Sequence, residues 1–186
     1  MPPMRKTKLI LVIGGSGSGK SAYAEDLVRR AGLPHVFYLA DMICTDGEAK
    51  EKIRVHVERR AGYGWETIER PRDVGGISLQ TPREETALLL EDLPNLLANE
   101  MFGTPQQSGE EAAKKILRDL KALSQQASLV VIVTGDLLRD GIRYDADTEA
   151  YLAALGALHR ALAQEAAAVT EMVFGIPVRW KEDNNG

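Results

Sequence analysis

LILVIGGSGSGKSAYAEDLVRR, residues 9–30, passes from an apolar run through a cluster of glycines and serines into a charged segment with an apolar stripe. The run at 9–13 is short and continuous, as expected of a parallel strand buried on both faces. Residues 21–30 set Ala24, Leu27 and Val28 on one side of a helix. Between them, Gly14-x-x-x-x-Gly19-Lys20-Ser21 fits the phosphate-loop pattern in full. Small residues let successive backbone N–H groups turn inward as an anion nest, and the following helix adds its positive end. Lys20 has the reach for the β- and γ-phosphates, and Ser21 has a hydroxyl suited to Mg²⁺. The stretch predicts a strand, a loop holding a nucleoside triphosphate (ATP or GTP) and a helix. Gly14, Gly15, Ser16, Gly17, Ser18, Gly19, Lys20 and Ser21 are the expected nucleotide-binding residues.

The same strand-then-helix rhythm runs through the rest of the chain. Apolar runs at 35–40, 87–90 and 129–133 and a closing run at 176–181 read as strands, with shorter extended pieces at 65–68 and 171–174. Helical spacing appears at 46–60, 95–102, 110–125 and 147–168, and residues 70–83 read as a polar, Gly-rich loop. This alternation predicts an α/β fold with a mostly parallel central sheet covered on both faces, of the P-loop nucleotide-binding kind. Ligands of such sheets bind beyond the carboxyl ends of the strands. Ser16, Asp41, Glu91 and Asp136 each follow an apparent strand end and are expected around one cleft. A carboxylate there would share a metal ion with Ser21. Spacing leaves Glu91, Asp92 and Asp136 open, although Asp92 also suits the cap of the next helix. Alternation along a strand turns Glu91 and Asp92 to opposite sides.

The 186 residues predict one domain, with short tails at 1–8 and 182–186. Hydrophobic residues make up 44% and charged residues 27%, the composition of a soluble globular protein. A net charge of −4 supplies no global field toward nucleic acid or acidic lipid. Cys44 is the only cysteine, which excludes an internal disulfide and a cysteine-built zinc site. The run at 9–13 is too short for a signal sequence or a membrane span, so a cytoplasmic location without membrane insertion is expected.

His56 sits in KIRVHVERRAGYGWETIE, residues 52–69, beside Arg54, Arg59 and Arg60. Arginines next to an imidazole can orient a phosphate for attack by a ring nitrogen. Residue chemistry alone, however, favours a solvated surface residue for a lone histidine on a charged helix. His35 and His159 have still less around them.

From residue 10 to 181 the chain resembles the bifunctional adenosylcobinamide kinase / adenosylcobinamide-phosphate guanylyltransferase family of cobalamin biosynthesis. The likeness rests on GGSGSGKS followed by SAYAEDL, and on YLADMICTDGEAKEKI. It also rests on His56, Arg60, Trp65, Thr67 and Glu69, which fit a His-Arg-Trp-Thr-Glu block. LLLEDLPNLLANEMF, with Asn99, VIVTGD and the closing FGIPVRWK complete it. The resemblance implies that His56 carries a guanylyl group covalently and that Lys20 clamps phosphate. It implies nucleotide contacts from Ala40, Asp41, Met42, Val57, Glu58, Arg59, Arg60, Glu69 and Glu91, with Mg²⁺ at Ser21 and Glu91. It also implies a cobinamide-type substrate and a homo-oligomer, a trimer. Some positions depart from the family pattern: Val57 stands for arginine, Asp41 for threonine, and Gly135-Asp136 for Asn-Glu. Tyr151-Leu152-Ala153 and His159-Arg160 replace an F-R-D triplet and an N-Q pair. Two other functions fit a diverged chain: a nucleotide-binding module without transfer activity, or a kinase for another small molecule.

Overall fold

The quoted stretch folds as strand β1 (Lys8–Gly14), a loop, and helix α1 (Lys20–Ala31). The computed structural model describes residues 7–43, 54, 58, 62–137 and 144–182. Among them the other strands are β2 (His35–Ala40), β3 (Glu66–Glu69), β4 (Thr86–Glu91), β5 (Leu129–Gly135), β6 (Ala168–Val173) and β7 (Ile176–Lys181). The further helices are α2 (Leu93–Phe102), α3 (Gly109–Ser124) and α4 (Ala146–Glu165).

All seven strands form one sheet in the order β3-β2-β4-β5-β1-β6-β7, parallel throughout except for the antiparallel pair β6/β7. Side-chain alternation splits the apolar runs between two cores. Leu11, Leu39, Leu88, Leu90, Val130 and Ile132 pack with α2, α3 and α4. Val12, Tyr38, Leu89, Val131 and Val133 pack with Ala24 and Val28 of α1 on the opposite face. Burial on both faces is why these strands carry no polar alternation. The protein is therefore α/β with a mostly parallel, doubly covered sheet, as its sequence pattern predicts.

Two boundaries differ from the sequence reading by three residues. The helix expected over 147–168 stops at Glu165, and the strand expected at 171–174 begins at Ala168. The Ala-rich composition favours helix, but Ala167 N–H donates to Leu9 O at 2.8 Å and β6 pairs along β1. Ladder bonds and burial override the local preference. The loop at 70–83 also contains a 3₁₀ turn, Val74–Gly76, which buries Val74, and a second turn, Arg83–Glu85, follows it. Of the helix expected over 46–60, only Arg54 and Glu58 lie among the described residues. Both are helical and exposed, and they form an ion pair one turn apart.

A buried ionic knot ties the loop after β3 to the helices behind the sheet. Glu100 of α2, 1% exposed, accepts hydrogen bonds from Lys115 Nζ at 2.5 Å and from Asp73 N at 2.8 Å. Lys115, on α3, also lies 2.8 Å from Asp73 Oδ1 and 3.0 Å from Asp119 Oδ2. No helix among the described residues is long and apolar enough to cross a membrane.

Candidate functional site

The loop between β1 and α1 adopts the backbone that an anion nest needs. Gly17 and Gly19 have φ of 70° and 89°, in the left-handed region where a side chain is penalised. Gly14 is restricted by space: a Cβ there would come within 2.4 Å of Ser18 Oγ and 2.9 Å of the Met172 carbonyl oxygen. Asp92, Ser108 and Asp145 cap α2, α3 and α4 through their side chains, whereas Gly19 leaves α1 without a side-chain cap. The first-turn N–H groups of α1 are thereby left for an anion, at the positive end of the helix. Lys20 folds over the loop, donating from Nζ to Gly15 O at 3.1 Å. Gly15 and Ser16 lie exposed at the loop's outer turn, while Ser18 is buried.

The ends of β4 and β5 reach this loop and the start of α1, and those of β2 and β3 continue the row beyond β4. Ser21 Oγ, in the first turn of α1, donates a short hydrogen bond to Glu91 Oε1 at the end of β4. Tyr38 OH, from β2, donates to Glu91 Oε2 at 3.3 Å. Register places Ala40 beside Glu91 on one side and Glu69 on the other, so the three residues form a row across β3, β2 and β4. Asp41, one residue past β2, is fully buried. Its Oδ1 accepts from Asp92 N at 3.1 Å, and its Oδ2 has no hydrogen-bond partner. Burial, together with the negative charges of Asp92 and Glu91, pushes the Asp41 carboxyl well above the usual carboxylate range. Asn99 Nδ2 donates to Asp41 O at 2.7 Å and to Pro71 O at 3.1 Å, tying the end of β2 to the loop after β3. Met42 follows, half-buried.

Of the three acids that spacing leaves open, Glu91 is the one that meets Ser21. Asp92 turns its carboxylate to Asn95 N, at 3.0 Å, and caps α2. Asp136 ties β5 to the loop through its backbone, N–H to Gly14 O at 3.3 Å, and is half-buried. His159 on α4 shares a 2.8 Å hydrogen bond with Thr134 Oγ1, and burial lowers its pKa. Tyr151 donates to Pro94 O at 3.1 Å, and burial raises its hydroxyl to about 12. His56, Val57, Arg59 and Arg60 lie outside the described residues.

Tyr38 was not legible as a site residue, because it sits within an apolar run and its ring packs in the core. The only signal was a single hydroxyl among aliphatic neighbours. Nor does the sequence bring Gly175 to the phosphate loop, where its N–H donates to Ser18 O at 3.0 Å.

Fold and loop together define a P-loop nucleotide-binding α/β protein. The family model described as cobinamide kinase / cobinamide phosphate guanyltransferase matches residues 10–180, and the chain belongs to that family. It is accordingly a transferase of cobalamin biosynthesis whose substrates are a nucleoside triphosphate and a cobinamide. Comparison with curated proteins gives no match. Among solved structures, a Pyrococcus horikoshii OT3 protein studied as PH0250 is similar over 97% of this chain and 89% of its own, with TM-score 0.55 and 9% identity. The flagellar accessory protein FlaH from Methanocaldococcus jannaschii is 10% identical over 95% of this chain and 79% of its own, with TM-score 0.49. The KaiC-like protein PH0186 from Pyrococcus horikoshii OT3 is 12% identical over 88% and 71%, with TM-score 0.45. The similarity to PH0250 is one of fold alone.

Proposed function

We propose that this chain is a single bifunctional catalytic unit. It phosphorylates the aminopropanol hydroxyl of a cobinamide with ATP or GTP, then passes GMP from GTP to the cobinamide phosphate. The observation that carries the kinase half is the Ser21–Glu91 hydrogen bond beside the uncapped start of α1. A hydroxyl and a carboxylate converging at a phosphate site are hard oxygen donors of the kind Mg²⁺ takes alongside phosphate oxygens. Ser21 and Glu91 would hold that ion, which, when bound, neutralises charge on the β- and γ-phosphates. Lys20 and the loop N–H groups stabilise the negative charge spread over the phosphoryl group in flight. Tyr38 orients the Glu91 carboxylate from the side away from Ser21. Ala40, Asp41, Met42 and Glu69 contact nucleotide from the strand ends.

For the second half, a neutral His56 nitrogen attacks the α-phosphorus of GTP. An N–P bond forms and pyrophosphate leaves. A phosphate oxygen of cobinamide phosphate then attacks the same phosphorus, the N–P bond breaks, and the imidazole is restored. Arg59 and Arg60 offset charge on the phosphate, and Val57 and Glu58 contact the nucleotide. The assembly is a cytoplasmic homo-oligomer, a trimer, on the strength of the family likeness.

Exposure to α-labelled GTP tests the covalent step. The expected result is an acid-labile, alkali-stable label that His56→Asn removes while kinase turnover persists. A wild-type chain that binds nucleotide yet gains no GMP-sized mass takes His56 off the catalytic list.

A further inference from the structure

The β6–β7 hairpin sets an exposed aromatic residue, Phe174, next to the glycine that meets the phosphate loop. Phe174 and Gly175 form the two-residue turn between Val173 and Ile176, which pair across the strands. Both turn residues have positive φ, 49° and 80°. Two successive left-handed residues make the mirror-image turn that matches strand twist, and that turn prefers Asn-Gly or Gly-Gly. Gly175 meets the preference and Phe174 does not. Phe174 is also 95% exposed, so burial does not offset its backbone cost.

The turn is fastened to the nucleotide loop. Gly175 N–H donates to Ser18 O at 3.0 Å, and a Cβ on Gly19 would lie 3.6 Å from Gly175 Cα. Phe174 is thus the immediate neighbour of the residue that abuts the last turn of the loop before Lys20. A triphosphate seated on the loop's N–H groups must send its ribose and base out over one lip. Ser18, Gly19 and the hairpin turn form such a lip.

We propose that Phe174 is the platform on which the base of the bound nucleotide stacks. The proposal rests on the reading that the loop at 14–21 holds the triphosphate. Stacking on an aromatic ring accounts for both its exposure and its tolerated backbone cost. Every purine has a π-face, so the platform adds affinity for ATP and GTP alike and leaves the choice between them to contacts with the base edges.

The test titrates the full chain, with Mg²⁺, against ATP, GTP and inorganic tripolyphosphate, comparing wild type with Phe174→Asn and Phe174→Trp. Asparagine suits the turn better than phenylalanine and removes the ring, so loss of folding cannot mimic loss of stacking. The expected result is about tenfold weaker ATP and GTP binding in F174N, unchanged tripolyphosphate binding, and recovery in F174W. Nucleotide affinity within twofold of wild type in F174N overturns the platform while leaving the loop reading intact. So does an equal loss for tripolyphosphate, or a change in self-association alone. A wild-type chain that binds neither nucleotide nor tripolyphosphate refutes the loop reading, and the platform falls with it.

Discussion

Replacing Asp41 by asparagine should change how stability depends on pH. Asp41 is fully buried, its Oδ2 has no hydrogen-bond partner, and Glu91 and Asp92 add negative charge beside it. Its pKa therefore lies well above the value of about 3.9 expected in the unfolded chain. Between those two values the folded protein keeps a proton that the unfolded chain has released. The neutral carboxyl therefore contributes stability that is complete below the unfolded pKa and is lost as pH rises through the folded one. One proton corresponds to about 1.4 kcal/mol per pH unit, tenfold in the unfolding constant. The introduced asparagine does not titrate, and its oxygen can still accept from Asp92 N. Its Nδ2 takes the place of Oδ2 and, like the hydroxyl of the neutral carboxyl, is a buried donor without an acceptor, but it carries one N–H more, which costs about 1–3 kcal/mol at every pH. Urea unfolding of both proteins from pH 5 to 8, without nucleotide or Mg²⁺, reads the difference directly, because the other titrating groups cancel. Asp41→Asn should start at a disadvantage that narrows as pH rises, by up to about 1.4 kcal/mol per unit, and levels off above the folded pKa. A difference that stays flat, or that grows in favour of the wild type, refutes the reasoning.

Lys20→Ala should keep the fold and lower phosphoryl-transfer turnover by about 10²–10³, the usual cost of removing one preorganised charge contact; near-normal kcat would mean the loop is not catalytic. Glu91→Gln keeps an acceptor for Ser21 but loses the charge, and should raise the Mg²⁺ concentration for half-maximal turnover about tenfold. An unchanged Mg²⁺ titration would point to another carboxylate. Glu100→Ala leaves Lys115 without its most buried partner and Asp73 N without its acceptor. It should cost about 3 kcal/mol and lower Tm by about 6–12 °C in thermal unfolding; a shift below about 2 °C would show that the knot contributes little.

The features legible in the sequence are those set by residues close together along the chain. The phosphate loop depends on consecutive backbone conformations, so Gly17 and Gly19 reveal it without any knowledge of the fold. The runs LILVI and LVVIV declare strands buried on both faces, and Asp92 declares a helix cap three residues ahead of the N–H it accepts. Tertiary structure decided everything that depends on partners far along the chain. Residues 167 and 168 leave the helix because their backbone partner is β1, more than 150 residues away, and no local preference encodes that ladder. The acid that faces Ser21 could be Glu91, Asp92 or Asp136 by spacing alone; the end of β4 beside α1 selects Glu91, and capping of α2 occupies Asp92. Asp41 shows nothing in the sequence of its burial, because the side chains that exclude water from it come from other elements. Gly175, with Phe174 beside it, meets the phosphate loop only because β6 pairs with β1 and sets the hairpin turn against Ser18 and Gly19. Proximity of that kind arises from sheet order, which the apolar pattern of each strand leaves open because every central strand presents the same two apolar faces.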